Sequence, residues 1–405
     1  MTARRKRHLD DGSMSRREVL RCALAGTGVL LAAPLLAAAE TVEPCSRLAA
    51  ALHEGLQPPD ANGLRLPAGF SSRVVARSGD PVLPGAKYRW HGSPDGGACY
   101  ATPDGGWVYV SNAELPGGYG GVGALRFTPH GEVVDGYSIL SGTSLNCAGG
   151  RTPWGTWLSC EEFPAGHVWE CDPLGGTAAV MRPALGTFKH EAAAVDPDGG
   201  HIYLTEDTSD ARLYRFTPAR PAQGPQLDLS AGALEVAEVV GGKTGSVRWH
   251  PVPDPGAAKV PTARQVPQST PFPGSEGMVY SNGTVYFVTK YDTCVWAYDT
   301  ASGSLRIIYD DDRFADPVLT GLDNVVVAPG GEVLVAEDGG DMQLVAITPG
   351  GEVAPLLQVV GHIGSEIAGP AFDPSGTRLY VSSQRGRMGL ASGGITYEVT
   401  GPFAA

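Results

Sequence analysis

The sequence predicts an all-β chain: a six-bladed β-propeller with one Pro-rich insertion and an N-terminal twin-arginine signal segment. Three observations carry this reading. Glycine (56) and proline (33) are abundant without forming a low-complexity repeat, one strand–turn–strand unit recurs six times, and helical periodicity is scarce. Turn formers spread between short apolar runs favour many tight turns over helices. The 405 residues, 42% hydrophobic and 18% charged, suffice for a large core.

Residues 1–39 read as an address. Ser15-Arg16-Arg17-Glu18-Val19-Leu20 is a twin-arginine box followed by an apolar, alanine-rich run from Cys22 to Ala39. Its basic flank, Pro34 and the small residues Ala37–Ala39 fit a cleaved export signal better than a membrane span. The expected location is therefore periplasmic or extracellular, reached through the twin-arginine machinery, with no membrane attachment after processing. Residues 40–80 form an N-terminal extension in which Arg47–Leu56 is the one good helical stretch outside the signal. The propeller is expected over 81–405.

Removal of residues 1–39 leaves 23 basic and 40 acidic residues, a net charge of −17. Such a surface argues against nucleic acid or anionic lipid as the main partner. It suits hard cations, because carboxylates clustered in one pocket need positive charge to stay ionised together. The six cysteines after residue 39 have neither zinc-type spacing nor a small disulfide framework; one or two disulfides fit the expected compartment.

The repeat reads GACYATPDGGWVYVSNAE, CAGGRTPWGTWLSCEE, EAAAVDPDGGHIYLTED, EGMVYSNGTVYFVTKYD, DNVVVAPGGEVLVAEDG and AGPAFDPSGTRLYVSSQ. Anchored on their turns at Pro103, Pro153, Pro197, Asn282, Pro329 and Pro374, the copies are 50, 44, 85, 47 and 45 residues apart. A period in the forties is one four-stranded propeller blade. The long step contains residues 218–273, with ten prolines in 56 residues, which reads as an inserted loop because proline cannot supply ladder donors.

The first strand of a blade is innermost, so equivalent residues at its start converge. Six residues before each anchor stand Gly97, Cys147, Glu191, Glu276, Asp323 and Ala368. Asp95 and Glu366 lie two residues earlier in the copies that lack an acid. This column predicts a ring of anionic ligands at one channel mouth. Calcium takes six to eight oxygens in irregular geometry, whereas a thiolate selects zinc, copper or iron, so the site is expected to be mixed. Glu161 and Glu162 close the second strand of the cysteine's blade and are added as ligands, with Glu337 and Asp338 at the equivalent place in the fifth. The competing readings are a buried cysteine as a small hydrophobe, loop carboxylates as solvated turn residues, and Trp154 and Trp157 as core.

The segments NCAGGRTPWGTWLSCEE, FKHEAAAVDP, SEGMVY and SEIAGPAFDPSGTRLYVSSQRG resemble the PhoX-type alkaline phosphatases and their shorter relatives, over roughly Trp90 to Phe403. The resemblance implies a six-bladed propeller with ferric iron and calcium at the channel mouth, hydrolysing phosphomonoesters outside the cytoplasm. By motif it makes Cys147 an iron ligand and Glu162, Glu191 and Glu276 metal-binding glutamates. The family's Asn-His-Glu element reads Asn112-Ala113-Glu114 here, which makes Glu114 a further candidate. Long members carry a basic residue where Gly274 and Ser275 stand. Arg385, Arg387, Lys189 and Lys290, near blade ends, are the candidates for phosphate contact, and His190 for polarising a substrate oxygen. Two rivals remain: a calcium-dependent lactonase-like hydrolase, which needs no thiolate, and a non-catalytic scaffold held rigid by metal.

Overall fold

The computed structural model describes residues 47–220, 224 and 226–403; the expected signal segment lies outside them. The chain divides into Met1–Pro44 and a body spanning Cys45–Ala405. The body is all-β and propeller-like. Six strands, Pro94–Ala101, Asn146–Arg151, His190–Asp196, Ser275–Ser281, Leu322–Val327 and Ile367–Phe372, pack beside one another in that order, and the sixth returns to the first. Each opens an antiparallel run leading outward. No helix among the described residues is long and apolar enough to cross a membrane.

Among the described residues the hydrogen-bonded sheets number five, four of four or five strands and one of nine. The difference from six comes from the proline-rich insertion. Residues 218–273, expected to be a loop, contain the strands Gly232–Val240 and Gly245–Pro251. The second pairs through Gly245 and Ser246 with Leu305 and Ser304, joining two runs at their outer edges. The insertion's prolines fall largely outside these strands, so the ladder donors survive.

The N-terminal segment is not a separate extension. Leu64–Arg65 pairs with the strand ending at Val359, and Ser71–Arg77 pairs with Ile395–Thr400. The last sheet is thus closed by strands from both ends of the chain. At that seam Glu398, almost fully buried, accepts hydrogen bonds from Arg73 Nε (2.9 Å), Arg378 (2.7 Å) and Tyr380 Oη (2.8 Å). The expected helix forms over Arg47–Glu54; Leu48 and Leu52, one turn apart, join a core cluster with Leu356 and Leu357. Elsewhere Trp107 stacks on its cross-strand partner Phe127 at 5.3 Å, and neighbouring sheets interlock where Tyr109 stacks on Tyr380 at 4.9 Å.

Every one of the six inner strands carries a β-bulge near its start, with two residues opposite one on the partner strand: 95–96, 147–148, 191–192, 276–277, 323–324 and 369–370. A bulge bends its strand and re-aims the side chain of the extra residue. The packing around it is backbone against backbone. A Cβ on Gly150 would lie 1.9 Å from Ala193 O, and Gly369 adopts φ +61° beside Asp95 O. Small residues at these points let six inner strands close around one centre.

Candidate metal centre and active site

Five of the six bulges begin with a thiol or carboxylate: Asp95, Cys147, Glu191, Glu276 and Asp323. The sixth begins with Gly369, and its acid, Glu366, stands just before the strand. Counting back from the turn put Gly97 and Ala368 in the column. Register puts Asp95 there instead, because the first hairpin is longer.

The donors converge in three groups, each with one atom per residue mutually within 4.8 Å: Cys147 with Glu162 and Glu191; Asp95 with Glu114 and Glu366; and Glu191 with Glu276 and Asp323. Glu191 belongs to two of them. Cys147 Sγ donates to Glu191 Oε1 at 3.3 Å and approaches Asp95 Oδ2 at 3.7 Å. The sulfur's strand is clamped by Asn112, whose Nδ2 donates to Cys147 O (2.8 Å) and Ala148 O (2.7 Å). Asn112 Oδ1 in turn accepts from Trp157 Nε1 and Ser159 Oγ, both at 2.9 Å. Gln384 Nε2 bridges Asp95 Oδ2 (2.5 Å) and Glu114 Oε2 (2.9 Å).

Burial and mutual repulsion push these groups toward their neutral forms. Burial, then Asp323 and Glu114, holds the Asp95 carboxyl well above its ordinary range. Burial, then Glu162 and Glu276, does the same to Glu191, and burial, then Asp323 and Asp95, to Glu366. Glu276 is also raised well, by burial against the opposing pull of Lys290. Glu162 and Asp323 are each pushed up to about 7, by burial, with Lys189 and Lys290 respectively opposing. The Cys147 thiol is raised by burial, then by Asp95 and Glu191. Glu191, fully buried, leaves Oε2 without a hydrogen-bond partner. An orphaned buried carboxylate oxygen is costly, and a cation beside it removes that cost. The residues therefore fit metal ions: sulfur with two carboxylates suits a transition metal, and the two all-carboxylate groups suit hard cations.

The structure turns two expected ligands away. Glu161 accepts from Ser144 N (3.1 Å), His167 N (3.3 Å) and Trp169 Nε1 (3.1 Å). Glu337 accepts from Thr320 N (2.9 Å) and Gln343 N (3.0 Å). Side chains alternate across a strand, so in each acidic pair the first member caps neighbouring loops while the second faces the cluster. Glu206 and Asp207 repeat the division: Glu206 accepts from Tyr214 Oη, and Asp207 from Lys189. Asp338 lies beside the donor groups rather than within one, paired with Lys290.

Three of the expected phosphate-contacting cations sit at the cluster. Lys189 Nζ lies 2.8 Å from Glu162 and 2.7 Å from Asp207. Lys290 Nζ lies 2.9 Å from Glu276 and 3.1 Å from Asp338. Arg385 lies 3.2 Å from Glu366 and 3.6 Å from Glu114. Arg387 does not join them: it is exposed on the turn Gly386–Met388. His190 is withdrawn into the core, stacked on Phe188 at 3.6 Å, with Nε2 at 3.1 Å from Gly186 O. Burial lowers its pKa to about 3, so it stays neutral and structural. Asn112, Asp207 and Gln384 were not among the expected site residues. The signal for Asp207 was the acidic pair ending its strand; Gln384 has no such signal. The five described cysteines, Cys99, Cys147, Cys160, Cys171 and Cys294, are all free.

Fold and cluster together describe a propeller-like protein with a thiol and carboxylates gathered where its inner strands begin. The family model for alkaline phosphatase PhoX matches residues 110–165 and 164–302. That match spans just under half of the chain and makes it similar to the PhoX-type alkaline phosphatases. No curated protein sequence matches it. Among solved structures, PhoX of Pseudomonas fluorescens in complex with vanadate, a transition-state analogue, aligns with TM-score 0.71 and 18% identity, covering 86% of this chain and 98% of that one. A Bacteroides thetaiotaomicron protein of unknown function aligns with TM-score 0.51 and 9% identity over 85% and 83% of the two chains. A gluconolactonase of Xanthomonas campestris aligns with TM-score 0.49 and 13% identity over 89% and 99%.

Proposed function

We propose that the protein is an exported, metal-dependent phosphatase that hydrolyses phosphomonoesters at an iron and calcium centre in the mouth of a six-bladed propeller. In this reading the nine-stranded sheet counts as two blades, and residues 1–39 are a twin-arginine signal that delivers the folded protein to the periplasm or beyond. One observation carries the proposal: Cys147, Glu162 and Glu191, from different parts of the chain, bring sulfur and two carboxylates within 4.8 Å.

Cys147, Glu162 and Glu191 would hold ferric iron, and the sets Asp95–Glu114–Glu366 and Glu191–Glu276–Asp323 would hold calcium. Bound there, the metals supply Lewis acidity and reverse the local negative potential that would repel a phosphate dianion. The chain's own residues do the rest. Burial excludes water from the carboxylates and fixes their rotamers. Asn112 and Gln384 hold Cys147, Asp95 and Glu114 in place through the contacts above. Lys189, Lys290 and Arg385 are tied to ligand carboxylates; once cations neutralise those acids, their N–H groups are released to orient phosphoryl oxygens. Asp207 and Asp338 keep Lys189 and Lys290 aimed at the mouth.

The test is elemental analysis of the folded protein with p-nitrophenyl phosphate turnover before and after chelation. Bound iron and calcium, with turnover lost on chelation, is the expected outcome. Metal-free protein with full turnover would refute the proposal, and lactone hydrolysis retained by Cys147→Ser would favour a calcium lactonase-like site.

A further inference from the structure

The loops beside the acidic cluster carry exposed apolar side chains. The five most exposed large hydrophobic side chains among the described residues run from Ile363, 88% exposed, through Tyr119, Met388 and Tyr291 to Leu390 at 56%. All five lie in segments that enter an inner strand at its ligand-bearing end or leave the strand beside it. Tyr119 follows Glu114, Tyr291 follows Lys290, Ile363 precedes Glu366, and Met388 and Leu390 follow Arg385. Apolar side chains on the loops beside a polar cluster suit a site that grips more than the reacting group.

Two of these loops are held rigidly together. Arg385 N donates to Ser365 Oγ at 2.9 Å, and its guanidinium reaches Glu366 at 3.2 Å. Gly389 packs on Gly364 so closely that a Cβ there would lie 3.1 Å from Gly364 O. His362, buried just before Ile363, is fixed by Ser383 Oγ at 2.7 Å. Ile363 and Met388 flank the two glycines. They are presented to solvent by an ordered scaffold, a few residues from the acids of one donor group. On the blade of Glu276, the Tyr291 ring lies over Gly274, 3.1 Å from where a Cβ would stand.

We infer that Ile363, Met388 and Tyr291 form an apolar collar that binds the organic leaving group of the substrate, and so select phosphomonoesters of aromatic or long-alkyl alcohols over those of small polyols. This rests on the phosphatase reading of the site. The collar acts on the alcohol, not on the transferring phosphoryl group, so its energy favours binding over the chemical step.

The test uses the full, metal-loaded protein and the double variant Ile363→Ser/Met388→Ser, whose replaced side chains are exposed and carry no packing. Binding of naphthylmethylphosphonate is compared with binding of methylphosphonate. The collar predicts that the wild type prefers the naphthyl compound by about tenfold or more, and that the variant loses most of that preference. In turnover, KM for naphthyl phosphate rises about fivefold or more in the variant relative to its KM for glycerol phosphate. A wild type without preference, or a variant that keeps it, overturns the inference. So does a variant that binds both phosphonates equally less well, or one that changes only from dimer to monomer, which would make the patch a self-interface. An intact naphthyl preference lost in the variant, with no ester hydrolysed by either protein, supports the collar and instead removes the phosphatase reading.

Discussion

Two buried acidic regions of this molecule are built in opposite ways. At the seam where the chain ends meet, Glu398 is met by Arg73, Arg378 and Tyr380, and its carboxylate is fully served by the protein. At the mouth, a thiol and seven carboxylates from Asp95, Glu114, Glu162, Glu191, Glu276, Asp323 and Glu366 converge, with Lys189, Lys290 and Arg385 as the cations paired to them. Glu191 Oε2 has no partner. The seam is electrostatically complete and the mouth is not. A buried acid satisfied so fully at one place, beside a cluster left in deficit at another, supports the proposal that the second takes charge from outside.

The comparison breaks most easily at the sulfur. Cys147→Ser should remove the transition metal while leaving calcium, and cut p-nitrophenyl phosphate turnover by roughly a hundredfold or more; elemental analysis beside the assay measures both. Retention of iron would show that the thiolate is not a ligand.

At the seam, Glu398→Gln strips two arginines of their charge partner in a nearly closed site. It should cost about 3 kcal/mol of stability by urea titration, equally in metal-loaded and chelated protein, without changing metal content.

Glu191→Gln should behave in the reverse manner. In chelated protein it removes one member of a repelling cluster, so the melting temperature rises by a few degrees. In metal-loaded protein it removes a donor shared by two groups, so the stabilisation gained from added calcium shrinks. A fall in both states would mean that Glu191 is an ordinary packing residue.

The smallest effect is a slope. Glu162 and Asp323 are pushed up to about 7 in the folded state from ordinary values of 4.5 and 3.8. Over that interval the native state binds more protons than the unfolded state, so unfolding free energy falls as pH rises. Chelated protein should lose stability between about pH 4 and 7, and metal-loaded protein should show a flatter profile, because bound cations keep these groups ionised. Thermal melts at a series of pH values test this; a rising profile in the chelated protein contradicts the charge deficit.

Much of this was legible in residue order. The repeat anchors located the inner strands, and the column of acids and one cysteine named Cys147, Glu191, Glu276 and Asp323, with Asp95 and Glu366 as outliers in sequence spacing. For Asp95 the offset came from counting back from a turn on a longer hairpin, and register brings it into line through its bulge, whereas Glu366 stands just before its strand. The pairs Glu161/Glu162 and Glu337/Asp338 were recognised as strand-end acids, but which member faces inward follows from the phase of a five-residue strand, which spacing from a turn does not fix. Arg387 and His190 looked like their neighbours Arg385 and Lys189 in type and position. Arg387 lies on the turn Gly386–Met388 and faces solvent, while His190 enters an aromatic stack because a single residue of chain advance from Lys189 reverses the side chain's direction.

Composition and periodicity alone determined that this chain would be all-β, repetitive and acidic, with sulfur and carboxylates at equivalent points of its repeat, because strand patterning and turn chemistry are local properties written residue by residue. Tertiary structure alone decided which of those acids meet, which are satisfied by arginine or backbone amides, and which are left in deficit. Whether a buried carboxylate is a structural anchor or a cation's ligand depends on what other segments place within a few ångströms of it, and the charge of a site is a sum over neighbours that no local pattern contains.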